Sequence, residues 1–356
     1  KDAASGYENA PGVILQGHVD MVCEKLPGST HDFTKDPLTL FVEGDIIHAD
    51  GTTLGGDDGI AVAYELAILE DDKLQHPAIE AVFTVDEEIG LLGASALDTA
   101  PLKGKYLINL DSEEEGILWA GCAGGMTSIS ELPVNYQERT GIRYDIKVDG
   151  LLGGHSGAEI DKIRANATLL LARFLHEFRE FGEFGLISLS GGQKDNAIPR
   201  QAEASVLTEQ EDGEKLVSYA AEFTQMLRKE YTGTDEGITV TAVCRGEQTE
   251  QVLHPVSQEK VIFFLMNYPN GIQKMCGFID GLVETSCNVG VTRLGSECLA
   301  CSTSVRSSAG SAKKALAGKI QYLTEFLGGE YHVEGDYPSW EYRQDSVLRP
   351  LMVQVY

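Results

Sequence analysis

Four short acidic segments carry side chains of the kinds that bind divalent metals: GHVDM with His18 and Asp20, GGDDG with Asp57, DEEIG with Glu87 and Glu88, and NLDSEEEG with Asp111. Divalent cations take deprotonated oxygen and imidazole ligands from different chain segments, and a bridged pair of cations needs carboxylates to offset its charge. A carboxylate-rich two-metal site of this kind points to hydrolysis. Asp20 follows His18 so closely that it can orient the imidazole with its other nitrogen toward a metal. Adjacent side chains in extended or loop backbone diverge, so one of Glu87 and Glu88 can anchor a cation while the other faces substrate and carries a proton. Each residue also has a plainer use when taken alone. Asp57 and Asp58 suit the start of a helix, the Glu87–Glu88 pair suits a charged loop after a strand, and His18 suits an ordinary histidine at a strand end. Asp111 precedes Glu113, Glu114 and Glu115. Spacing does not settle which of these acids is a ligand, although position directly after the strand favours Asp111.

The elements that must position these side chains are legible around them. GVILQ (12–16), AVFTV (81–85) and YLINL (106–110) are compact apolar runs suited to buried parallel strands. Between the first two, DDGIAVAYELAILEDD has apolar residues at helical spacing. This β, helix, β order predicts an open α/β sheet, in which ligand sites gather beyond the carboxyl ends of the strands, and the acidic segments obey that rule. After Gly125 the rhythm changes. GIRYDIKVDG alternates like a half-exposed strand, and a helical pattern runs from Glu159 to Phe181. GLISLSGG and PRQAEASVLTEQ then read as strands, GEKLVSYAAEFTQMLRKEYTG as a helix and GITVTAVCRG as a strand. That is the β-α-β-β-α-β order of a ferredoxin-like unit. A further helix (QEKVIFFLMNY), strands around Val289 and Ser304, and the helix AGSAKKALAGKIQYLTEFLGG predict a second, similar half. The expected organisation is a catalytic domain with a mixed, largely parallel sheet over 1–124, an inserted α+β domain over 125–334, and a return to the first domain over 335–356.

Composition narrows the function classes. The 356 residues hold 28 Lys and Arg against 55 Asp and Glu, a formal charge of -27, which disfavours nucleic acid as a partner because phosphate binding relies on clustered cations. No run approaches the roughly 18 apolar residues of a membrane span, so no membrane partner is expected. The seven cysteines are irregularly spaced and predict a reducing, cytoplasmic setting. Cys298 and Cys301 form a lone CxxC whose side chains point to opposite faces of a strand, so a structural role is expected. The chain starts at Lys1 and its last stretch, SVLRPLMVQVY, reads as a helix cut off in mid-course; an internal fragment is expected.

The segments QGHVDMV, DGTTLGGDDGIA, VDEEIGLLGA, NLDSEEEG, CAGG, GGHSG and DNAIPR resemble those of the aminoacyl-histidine dipeptidases, a branch of the di-zinc peptidase family that also contains carnosinases, glutamate carboxypeptidases and acyl-amino-acid deacylases. The resemblance covers nearly the whole chain. It implies two zinc ions, with Co2+ or Mn2+ as substitutes. His18, Asp57 and Asp111 would hold the first, and Asp57 would bridge to a second bound by Glu88. Asp20 would steer His18, Glu87 would be the general base, and His155 would reach from the inserted domain to stabilise the oxyanion. Asn196 and Arg306 would bind the substrate's backbone and C-terminal carboxylate, with Arg200 and Arg293 as rivals for the latter. The family's second zinc takes one more histidine from near the C-terminus, and no position matches it: His254 and His332 lie in the inserted domain. The implied activity is hydrolysis of unblocked dipeptides, Xaa-His and carnosine-like ones included, with the inserted domain acting as a lid and supporting a homodimer. A deacylase or carboxypeptidase acting on N-blocked amino acids is the alternative within the family. A non-catalytic metal-binding protein on the same fold is the alternative outside it, and the presence of Glu87 argues against that.

Overall fold

The computed structural model describes residues 1–112 and 114–356. They divide into two compact units, Lys1–Ala120 with Gln344–Tyr356 and Gly121–Arg343.

In chain order unit 1 begins with β1 (Val13–His18), a hairpin of β2 (Leu40–Glu43) and β3 (Ile46–Ala49), α1 (Gly56–Glu70), β4 (Ile79–Thr84), a short α2 (Leu92–Ala96) and β5 (Tyr106–Asn109). The three apolar runs form a parallel sheet in the order β4-β1-β5. Register aligns Thr84 with His18 and Asn109 with Gln16, so the carboxyl ends lie side by side and the loops that leave them converge. Ile14, Leu15, Ile79 and Val82 are buried, as is Ala61 of α1, which packs on β1. Gly17 permits this close approach, because a methyl at its Cα would lie 2.7 Å from the Ala61 Cβ.

Unit 2 comprises β6 (Gly124–Pro133), β7 (Tyr136–Asp149), β8 (Gly154–His155), α3 (Ala167–Phe178), β9 (Gly185–Gly191), β10 (Ala197–Ile198), β11 (Ala202–Thr208), α4 (Gln210–Glu230), β12 (Thr239–Leu253), α5 (Pro255–Asn267), β13 (Gly271–Met275), β14 (Val283–Leu294), β15 (Cys298–Ser307), α6 (Gly310–Phe326) and β16 (Glu330–Tyr337). Its main sheet runs β12-β7-β11-β9-β14-β15-β6-β16, with β13 against β14. The first half, β7-α3-β9-β11-α4-β12, has the ferredoxin-like order read from the sequence. The second uses β6, α5, β14, β15, α6 and β16. Numbering the strands of each half along the chain, both lie in the order 4-1-3-2, and they join where β9 pairs β14 at Ser190 and Gly191.

Strand one of the second half therefore precedes the entire first half. β6 carries little apolar signal because it buries serines: the Ser128 hydroxyl meets Tyr331 Oη at 2.9 Å and Ser130 receives the Thr324 hydroxyl at 2.9 Å. Gly335, where the sequence predicts the return to the first domain, falls inside β16. That strand pairs β6 as far as Tyr337 opposite Gly125, and a bridge from Cys122 to Trp340 continues the contact. The helix predicted from Glu159 starts instead at Ala167, where the Asn166 side chain caps it by accepting from the Thr168 amide at 3.1 Å; a single 3₁₀ turn occupies Ile160–Lys162. One core cluster runs through the unit from Met126 to Ile320. Phe174 is central to it, with its ring 5.2 Å from Tyr219 and 5.4 Å from Phe223. Cys301 is buried and Cys298 half-buried, both as free thiols.

The chain then returns to unit 1 and ends in α7 (Leu348–Val355). Among the described residues no helix is long and apolar enough to cross a membrane.

Candidate metal centre and substrate-binding residues

The carboxyl end of the unit 1 sheet gathers the acidic segments around one imidazole. His18 ends β1 and is 1% exposed. Its Nδ1 faces the Asp20 carbonyl at 2.9 Å and the Asp20 carboxylate at 3.3 Å, both acceptors, so Nδ1 carries a hydrogen. Its Nε2 lies 3.0 Å from Asp57 Oδ1 and 3.9 Å from Asp111 Oδ2. Asp20 is itself held by its other oxygen, which accepts the Glu88 amide at 3.1 Å. Burial pushes its pKa up, but the Glu87 and Glu88 amides outweigh this and leave it below the ordinary value.

Asp57 and Asp58 do not cap α1. Gly55 occupies the cap in the left-handed region, and both aspartates have non-helical backbone. Freed from the helix, Asp57 turns to His18, while Asp58, 2% exposed, accepts the His18 amide at 3.2 Å. Beyond β4, Asp86 adopts a left-handed φ of 56°, a conformation uncommon outside glycine, and Glu87 and Glu88 follow it. The ligand-type atoms of His18, Asp57 and Asp111 lie within 4.8 Å of one another, as do those of His18, Glu87 and Glu88. Glu113 lies outside the described residues.

These donors fit a cation. A nitrogen lone pair at Nε2 would meet only carboxylate oxygens, so the arrangement is electrostatically satisfied when the imidazole is protonated or when a metal stands between them. Burial pulls the His18 pKa down, yet the hydrogen bond to Asp57 and the charges of Asp111, Asp57 and Glu87 carry it above its ordinary value. Burial, together with the charges of Asp57 and Asp58, raises Asp111 to about 6. Glu87 is raised by burial, against the pull of His18 and with the push of Glu88, Asp57 and Asp20. This is an accumulation of negative charge that divalent cations relieve.

Two residues behind the cluster escape sequence reasoning. Asp58 reads as a helix acid, and Glu65 is one polar residue within the helical pattern of DDGIAVAYELAILEDD. Glu65 is fully buried; burial and the charge of Asp58 raise its pKa to about 7, against the pull of the Val82 backbone. Its position one helical turn after Ala61, on the apolar face of α1, is the available signal.

Unit 2 brings the other candidates together. His155 ends β8, which pairs with β10 so that His155 opposes Ala197, and the Ser156 amide donates to the Asn196 carbonyl at 2.8 Å. Asn196 is thus fixed beside His155. The Gly157 and Ala158 amides donate to His155 Nδ1 at 3.2 and 3.0 Å. Nδ1 is therefore an acceptor, and the neutral ring carries its hydrogen on Nε2, facing outward as a donor. Behind this pair, the buried Asn288 amide of β14 donates to the carbonyls of Asp195 and Ala197 at 3.0 and 2.9 Å, strapping the chain on both sides of Asn196.

Arg306 joins the group, since a methyl on Gly157 would lie 3.0 Å from His155 Cε1 and 3.2 Å from Arg306 Nε. Its rivals are otherwise engaged. The Arg293 guanidinium donates to the carbonyls of Gly191, Gly192 and Thr292, and Arg200 donates to the Leu151 carbonyl at 3.3 Å. Both line a cavity of about 410 Å³ with Asp149 and Glu203. His254 caps α5 by accepting the Val256 amide at 3.3 Å, and His332 is exposed on β16 beside Glu334.

Known proteins share this plan. Residues 146–235 match the sequence model of a peptidase dimerisation domain, a stretch that lies within the first ferredoxin-like half and ends before β12. The cytosol non-specific dipeptidase of Escherichia coli is 34% identical across the whole of this chain and 74% of its own length. An uncharacterized protein of Bacillus subtilis, YqjE, is 42% identical over 30% of this chain and 28% of its own. The crystal structure of aminoacylhistidine dipeptidase from Vibrio alginolyticus superposes with a TM-score of 0.90 at 35% identity, covering all of this chain and 73% of that one. With sequence and backbone alike matched from end to end, and a metal-fitting cluster at the strand ends, this chain belongs to the aminoacylhistidine dipeptidase family of metal-dependent peptidases.

Proposed function

We propose that the chain hydrolyses unblocked dipeptides, Xaa-His and carnosine-like ones among them, in the cytoplasm and with two zinc ions. The observation that carries this reading is the convergence on His18: its ligand atoms lie within 4.8 Å of those of Asp57 and Asp111 in one group, and of those of Glu87 and Glu88 in another. His18, Asp57 and Asp111 would hold one ion, and Asp57 and Glu88 a second. When bound, zinc acts as a Lewis acid on the peptide carbonyl and makes water more acidic.

The residues supply the rest. Asp20 fixes the tautomer and direction of His18. Glu87, its proton affinity raised by burial, takes a proton from the attacking water and returns it to the leaving amine. His155 offers Nε2–H to the developing oxyanion. Asn196 meets the substrate backbone and Arg306 its terminal carboxylate, whose two oxygens match the guanidinium fork. Unit 2 serves as the lid that brings these groups to the substrate and also supports a homodimer.

The test is Glu87→Gln in metal-replete enzyme. Turnover should fall by roughly a thousandfold, as expected for losing a general base, with bound metal unchanged. Turnover at the native level would overturn the assignment. Comparing free with N-acetylated dipeptides separates a dipeptidase from a deacylase, since only the former needs the free amine.

A further inference from the structure

We propose that Tyr337 is a second ligand for the substrate's carboxylate, its phenol hydroxyl and the Arg306 guanidinium forming one receptor. The proposal rests on the dipeptidase reading, in which Arg306 meets the C-terminal carboxylate. Arg306 Nη1 donates to Tyr337 Oη at 3.1 Å. The phenol oxygen is therefore spent as an acceptor, and its own hydrogen is directed elsewhere. A phenol O–H and the remaining guanidinium N–H groups are donors set side by side, which is the demand of a carboxylate with two acceptor oxygens.

Tyr337 is held in place from three directions. Its ring lies over Gly125, where a methyl would stand 2.6 Å from Cζ, so the absence of a side chain there makes room for the phenol. Lys313, 3% exposed, sits 5.8 Å from the ring centroid, close enough for a cation–π attraction. The same ammonium donates to the Gly125 carbonyl at 3.2 Å, to Asp336 Oδ1 at 2.5 Å and to the Tyr337 carbonyl. One buried cation thereby ties the strand beneath the ring to the strand that carries it. Arg306, in turn, borders Gly157 beside His155, which sets the receptor next to the proposed oxyanion donor within one unit. Neither Tyr337 nor Lys313 stands out in the sequence: Tyr337 lies past Gly335, in the segment read as the return to the first domain, and Lys313 lies in an ordinary helical pattern.

The experiment compares a free dipeptide with its C-terminal amide on the zinc-loaded enzyme, using Tyr337→Phe, Arg306→Gln and the double variant. Phenylalanine keeps the ring over Gly125 and removes only the hydroxyl. KM for the free acid should rise about tenfold, the loss expected for one hydrogen bond to a charged group, while kcat changes less than about threefold and KM for the amide stays put. In the Arg306→Gln background the hydroxyl should still favour the acid. Loss of that residual preference would show that Tyr337 acts only by propping Arg306 and overturn the proposal, as would an unchanged KM in Tyr337→Phe. If Arg306→Gln itself leaves the acid-over-amide preference intact, the carboxylate role of Arg306 fails instead. Should Tyr337→Phe lower the melting temperature sharply, Gly125→Ala supplies the second arm. Displacing the ring should raise KM for the acid alone, and an equal rise for acid and amide would overturn the receptor.

Discussion

Unit 2 buries a continuous apolar core from Met126 to Ile320. Unit 1, among the described residues, buries only Ile14, Leu15, Ala61, Ile79 and Val82 as hydrophobic side chains, against His18, Asp58, Glu65, His76 and Thr84 as polar ones. Of the polar members, His18, Thr84 and Asp58 lie together where the strands end. Burial in unit 2 stabilises in the ordinary way, through apolar surface removed from water. Burial in unit 1 desolvates ionisable groups, which costs free energy unless a partner compensates. The difference teaches that the ionisable groups gathered in unit 1 are stabilised by what they bind rather than by apolar burial.

Removing divalent metal should break this comparison most strongly. Chelation is expected to lower activity by at least roughly a thousandfold, consistent with metal-assisted hydrolysis, and to lose hydrogen-exchange protection in β1, β4 and β5 while β7, β11 and β15 keep theirs. Equal loss in both units would show that their stabilities are not separate. Next in size is Phe174→Ala in the core of unit 2, which should cost about 3–5 kcal/mol by denaturant melting. Ile14→Ala in β1 of unit 1 removes a smaller side chain and should cost less than this, and a larger cost there would contradict the contrast.

The smallest expected effect is at Glu65, whose pKa is raised to about 7 by burial and the charge of Asp58. A carboxyl with a folded pKa above its unfolded value binds more protons when folded. The stability it permits is greatest below pH 4.5 and falls as pH rises through the window between 4.5 and about 7. Glu65→Met should therefore stabilise the metal-free protein by roughly 2 kcal/mol at pH 8 and flatten that slope in thermal melts across the window. A slope identical to the native protein's would remove Glu65 as its source.

Much of this was readable before the structure. The apolar runs that become β1, β4 and β5 announce a parallel sheet, and the segments holding His18, Asp57, Glu87, Glu88 and Asp111 are found at its loop ends. The helices α4 and α6 follow from periodicity. Where reading failed, side-chain chemistry had been reassigned by distant partners. β6 was illegible because its buried face uses Ser128 and Ser130, satisfied by Tyr331 and Thr324. The extent of unit 2 past Gly335 was illegible because β16 finds its partner in β6. Asp57 and Asp58 resembled helix acids until the left-handed Gly55 took the cap.

The sequence by itself determined the donor inventory, the α/β and ferredoxin-like orders, and the family. Residue types and near-neighbour periodicity are local properties, and they survive without a fold. Only the tertiary structure decided which arginine stands beside His155, that Asn288 straps the Asn196 chain, that Tyr337 meets Arg306, and that Glu65 is buried against the sheet. Each of those outcomes depends on strands and helices far apart in the chain coming within hydrogen-bonding or desolvating distance, and spacing along a sequence does not encode that distance.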